Sequence, residues 1–312
     1  MLSISNRLIT QVHTKNRSED PIRTYRRSIG DHTVKKILAC IFMVIGHIGM
    51  YYADRLPPMV SLTLRILGSL SLPLFAYSLA MGFLKTRNAG NYFLRLLSCA
   101  LVTQAILYVF LPLSGLPIFS VPLNAVFTIV CAFGLIYGCE LLFSIPLDRI
   151  GSLHLIEENA QTHSDRYDVR IGSGRTAADT GPGVYIPQIQ PAALFCLALG
   201  LIVASVLLSV FLNMEFGVFG VLTVLIFYLI EKCVTKNQTS WIFFGFLALD
   251  LLYILIYYAI TRTISVNGAS IASVFLCGLP SRKIRPPRAV QYAFYAFYPL
   301  HILALLLIRI IL

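Results

Sequence analysis

Two histidines stand where lipid would surround them. His47 lies near the end of the apolar run ILACIFMVIGHIGMYY (37–52), and His301 near the middle of VQYAFYAFYPLHILALLLIRIIL (290–312). Imidazole takes up and returns a proton near neutral pH, which is the work of a general base. Ionisable groups inside a bilayer usually face a bundle interior or a wet cavity, and they mark function by default. Arg65, Asn124, Glu215 and Asp250 are further polar residues within or beside other apolar runs. A histidine base together with a cation and an amide that stabilise an oxyanion would suit acyl transfer to an amine or hydroxyl. The same set would suit a proton-coupled transporter that binds a small anion at Arg65. Each residue also has a plainer reading: helix–helix hydrogen bonds for the histidines, snorkelling for Arg65, a helix cap for Asn124, a favoured place near a helix amino terminus for Glu215.

The elements that must position these groups follow from composition. Of 312 residues, 57% are hydrophobic and 12% charged, with a mean hydropathy of +0.77. Soluble domains carry about a quarter charged residues, and a membrane span needs about 20 mostly apolar ones. The apolar runs are continuous rather than alternating, which favours helices over a barrel. The expected fold is all-α, a polytopic transmembrane bundle with about nine spans near 37–54, 59–83, 93–112, 121–144, 191–212, 216–231, 240–261, 266–280 and 289–311. The sixth and eighth are short for full crossings. With the amino terminus cytoplasmic, 21 of the 25 basic residues fall inside and three outside, with Arg65 in a span. That bias fits nine spans and an outside carboxyl end. It also accounts for the net charge of +11 without nucleic acid.

On this topology His47, Arg65, Asn124, Glu215 and His301 share a depth in the outer half, and Asp250 sits near mid-depth. The chain divides into a basic cytoplasmic tail (1–34), spans one to four (35–144), a polar cytoplasmic loop (145–190) and spans five to nine (191–312). The tail would lie against anionic headgroups, and the first span would act as an uncleaved anchor. Seven cysteines are scattered without a CxxC pair, so no metal site is expected.

Several segments resemble the TraX family of integral membrane proteins, named after a protein that acetylates the amino terminus of F-type pilin. They are KKILACIFMVIGHIGMYY (35–52), LRILGSLSLPLFAYSLAMGFLKTRNAGNYFLRLL (64–97), LNAVFTI (123–129), EFGVFGVL (215–222) and AFYPLHILALLLI (296–308). They occur in the family's order. Gly46 stands where the family usually has aspartate, and Ser69 where it usually has arginine. The resemblance implies a multi-pass protein of the bacterial inner membrane that acts as an O- or N-acetyltransferase, with acetyl-CoA as donor. His47 and His301 would be catalytic, and Arg65, Asn124 and Glu215 would contact substrate or oxyanion. Arg87, Arg95 and Lys283 would hold the donor's phosphates. The acceptor would be a pilin-like amino terminus, a lipid or a surface glycan. The alternatives are the small-anion transporter and a membrane assembly protein without catalysis.

Overall fold

The structure is a computed structural model that describes residues 33–86, 88–117, 122–145, 190–263, 265–277 and 288–312. The tail, apart from its last two residues, and nearly all of the 145–190 loop lie outside these. The helices are α1 (Thr33–Tyr51), α2 (Pro58–Ser69), α3 (Ser71–Lys85), α4 (Ala89–Leu113) and α5 (Ala125–Phe143). There follow α6 (Pro191–Phe211), α7 (Gly217–Cys233), α8 (Gln238–Thr261), a 3-10 helix (Val266–Ala272), α9 (Ser273–Cys277) and α10 (Arg288–Ile311). Apart from one isolated bridge between Leu123 and Met214, the described residues hold no strand pairing. Helices are the expected outcome, because in hydrocarbon each backbone N–H and C=O must find its partner within the segment.

Side-chain ties fix how the chain shuttles between two ends. At the end called proximal, Lys35 Nζ donates to the Cys277 carbonyl and the Tyr77 hydroxyl to Glu231 Oε1. At the distal end Arg309 reaches the carbonyls of Tyr51 and Ser114. So α1, α4, α6, α8 and α10 run distally, while α2–α3, α5, α7 and the 266–277 segment run back. Among the described residues, seven spans are long and apolar enough to cross a membrane: α1, α2–α3 together, α4, α5, α6, α8 and α10. The two remaining passes are those short in the sequence. α7 has 17 residues, about 25 Å at the helical rise, and 266–277 is a 3-10 turn leading into five α-helical residues.

α3 is the central staff. Eleven of its 15 residues are buried, and it packs on α1, α5, α7 and α9. By contrast α6 and α8 present Phe211, Leu255 and Ile260 outward, as a lipid-facing surface would. The second span breaks at Leu70 for a local reason. Pro73 has no N–H for the Ser69 carbonyl and its ring crowds that oxygen, so the helix restarts at Ser71. The Ser69 hydroxyl turns back to the Ile66 carbonyl, 2.7 Å away.

α1 and α2 cross at glycines. A Cβ on Gly46 would stand 2.8 Å from Gly68 Cα, and one on Gly68 would stand 2.3 Å from Gly46 Cα. Small residues let two backbones meet this closely, which is how membrane helices gain packing without a hydrophobic drive. The Ser61 hydroxyl donates to the Gly49 carbonyl one turn along the same crossing, at 2.8 Å.

Candidate active site

The two histidines meet. His47 Nδ1 lies 2.9 Å from His301 Nε2, and both residues are buried, at 6% and 8% exposure. His301 Nδ1 lies 2.9 Å from the Phe297 carbonyl, which can only accept. That contact fixes the neutral pair's tautomers. His301 carries its proton on Nδ1, so its Nε2 accepts from His47 Nδ1–H. His47 Nε2 is then left as a lone pair. His301, with both nitrogens engaged, orients His47.

Aromatic rings hold the pair. Tyr51 stacks on His47 at 5.4 Å between centroids, and Phe297 stacks on His301 at 5.2 Å. Tyr298 stands edge-on to both imidazoles, at 6.3 and 5.5 Å. Its hydroxyl is buried and has no hydrogen-bond partner among the described residues. Tyr51 and Tyr298 are one helical turn from the histidines, at i+4 and i−3 on the same face. That spacing is the signal by which they belong to the site, although tyrosine in a membrane sequence reads first as an interfacial anchor.

Glu215 lies within electrostatic reach of Tyr51 and Tyr298. It sits in the connection between α6 and α7, pinned by three bonds. Leu123 N–H donates to Asn213 O at 2.8 Å, Glu215 N–H to Leu123 O at 2.9 Å, and Ala125 N–H to Glu215 Oε2 at 2.9 Å. Burial lifts its carboxyl to about 7, against the pull of the Ala125 N–H. Asn124 is the cap of α5: its Oδ1 accepts from Val126 N–H, and its amide donates to Ala100 O and Gln104 Oε1, both at 2.9 Å. Both amide hydrogens are thereby engaged within the protein.

The remaining expected site residues do not join the histidine cluster where they are described. Arg65 is exposed on α2. Arg95 is on the proximal part of α4, with its guanidinium 5.7 and 5.9 Å from the ring centres of Tyr92 and Tyr295. Arg87 and Lys283 lie outside the described residues. Asp250 is buried against the 3-10 helix, with Ser270 Oγ 3.4 Å from its Oδ1.

Arg309 is one of the three basic residues that the charge bias places outside. It is 5% exposed, and it grips Tyr51 O at 2.7 Å, Ser114 O at 3.0 Å and both oxygens of Asp54 at 2.7 and 2.8 Å. It holds the Asp54 carboxyl down to about 2. Two proximal networks were not singled out: Lys35 over the Tyr77 ring at 4.6 Å beside Glu231, and Glu140 with Tyr228 and Lys232.

No curated protein and no solved structure matches the chain. A family model described as TraX protein matches residues 32–143, from the threshold of α1 to the end of α5, so this part of the chain is similar to that family.

Proposed function

We propose that this multi-pass membrane protein is an acyltransferase that moves an acetyl group from acetyl-CoA to an amine or hydroxyl acceptor. The observation that carries the reading is the His47–His301 hydrogen bond beside an unpartnered, buried tyrosine hydroxyl. His47 Nε2 takes the proton of the acceptor as that nitrogen or oxygen attacks the thioester carbonyl. The imidazolium is steadied by its Nδ1–H bond to His301, which Phe297 holds in place. In this reading the Tyr298 hydroxyl, unpartnered among the described residues, donates to the developing oxyanion, while both amide hydrogens of Asn124 are engaged within the protein. Collapse breaks the C–S bond, and His47 returns its proton to the leaving thiolate.

His47 is 14 residues beyond Thr33, about 21 Å along α1, so the chemistry lies near the distal end. The charge bias makes that end the outer one, so the acceptor approaches from outside and the donor from the basic inner face. Arg87 and Lys283 are the cations proposed for the donor's phosphates, and the acceptor is a pilin-like amino terminus, a lipid or a surface glycan.

Purified protein in vesicles, given acetyl-CoA labelled in its acetyl group, tests the reading. Transfer that falls about 100-fold or more in both His47→Ala and His301→Ala supports it, as expected for loss of a general base. Absence of transfer, with biological function kept in both variants, sinks it. Mass spectrometry of pilin termini and surface polymers from a deletion strain identifies the acceptor.

A further inference from the structure

The seam between α4 and α10 is an open groove of about 490 Å³, lined on one side by Leu94, Arg95 and Val102 and on the other by Tyr292, Tyr295 and Pro299. The stripe from Leu94 to Val102 rises eight residues, about 12 Å. Leu94, Val102 and Tyr292 are more than half exposed, so the groove opens sideways to the surroundings of the bundle. Among the described residues its one charged lining residue is Arg95. The guanidinium Nε is buried and has no hydrogen-bond partner among the described residues, and the rings of Tyr92 and Tyr295 flank it. Pro299 cannot donate to the Tyr295 carbonyl, and the Cys99 thiol does so instead, at 3.4 Å, closing the floor of the seam.

Depth argues for the occupant. Arg95 is six residues past Ala89, about 9 Å from the proximal end of a helix about 37 Å long. With a hydrocarbon core of about 30 Å, its long side chain reaches the boundary with the headgroups. A free anion would meet the right charge there, but it would leave the apolar remainder of the seam bare. We propose that the seam binds one anionic phospholipid, with its phosphate on the Arg95 guanidinium and an acyl chain along Val102 and Pro299. A fork of N–H donors fixed between two rings favours phosphate geometry, and net negative charge adds selectivity over zwitterionic lipid.

The proposal is independent of acyl transfer, and so is its test. Native mass spectrometry of the full protein, titrated with phosphatidylglycerol or phosphatidylcholine, reads lipid retention directly. The wild type should retain one anionic lipid with about tenfold preference, the worth of one charge-assisted contact. Arg95→Gln should erase the preference, and Val102→Trp should weaken retention of both lipids while Arg95 stays in place. The proposal is overturned by equal retention of the two lipids in wild type, which means an annular lipid only, or by a preference unchanged in both variants. Displacement of the lipid by millimolar inorganic phosphate also overturns it, in favour of a soluble anion.

Discussion

At the scale of residues, the proposed mechanism separates groups that would react from groups that hold. The Tyr298 hydroxyl is unpaired and Asn124 is fully engaged, so their variants should fail differently. Tyr298→Phe should cut acetyl transfer about tenfold or more and leave thermal stability nearly unchanged. Asn124→Ala should lower stability by about 1–3 kcal/mol, through loss of the cap and of a partner for Gln104. Thermal melting in detergent beside turnover reads both. Glu215 gives a pH signature. Its folded carboxyl titrates near 7 against an ordinary 4.5, so the stability present below 4.5 is lost as pH rises through 7. The wild-type melting temperature should therefore fall over that window relative to Glu215→Gln. Parallel curves for the two proteins would refute the assignment. The meeting of His47 and His301 was legible because imidazole in lipid is costly without a partner. Arg65 is exposed on α2, which depth alone does not reveal: topology fixes a residue's depth, whereas its face depends on a rotation of about 100° per residue.

At the scale of elements, the departures from the family pattern acquire a packing account. Gly46 stands where an acid is usual, and its Cα lies against Gly68 with no room for a side chain. Restoring the acid should therefore harm the protein. Gly46→Asp should cost about 1–3 kcal/mol or more and should not raise transfer, as read by melting temperature and turnover together. A stable, more active Gly46→Asp would mean that the crossing yields. Ser69, in the arginine's place, is buried at the break that Pro73 imposes, where a guanidinium would need a buried partner. The sequence shows glycines and a proline, but which helix each glycine meets is a long-range contact that single-chain periodicity does not carry. For the same reason 266–280 read as a span although its described part, 266–277, forms a 3-10 turn and a short helix. Its length and hydropathy suit a crossing, and its hydrogen-bonding pattern is set by packing on α2 and α8.

At the scale of the whole molecule, the bundle is closed at the distal end by Arg309. The ion pair with Asp54 contributes little by itself, since the aspartate side chain is 56% exposed. The buried bonds to the carbonyls of Tyr51 and Ser114 matter more, because they join α10 to the ends of α1 and α4. Arg309→Met should lower stability by at least about 2 kcal/mol and reduce transfer as well, since α10 carries His301. Arg309→Lys keeps the charge but not the fork and should fall between. The all-helical bundle and its seven long spans were legible from the apolar runs. The clamp was not, because a lone arginine near a helix end looks the same whether it snorkels or binds.

The histidine bond spans 254 residues of chain, and that separation has a consequence in time. At about 5–20 residues synthesised per second, His47 precedes its partner by roughly 10–50 s. Throughout that interval the ribosome holds a protein with an unoriented imidazole and no Tyr298 beside it. On the proposed mechanism, proton transfer by His47 starts only once α10 has docked. A nascent or truncated chain that contains the whole family-matched stretch, residues 32–143, is by this account inert.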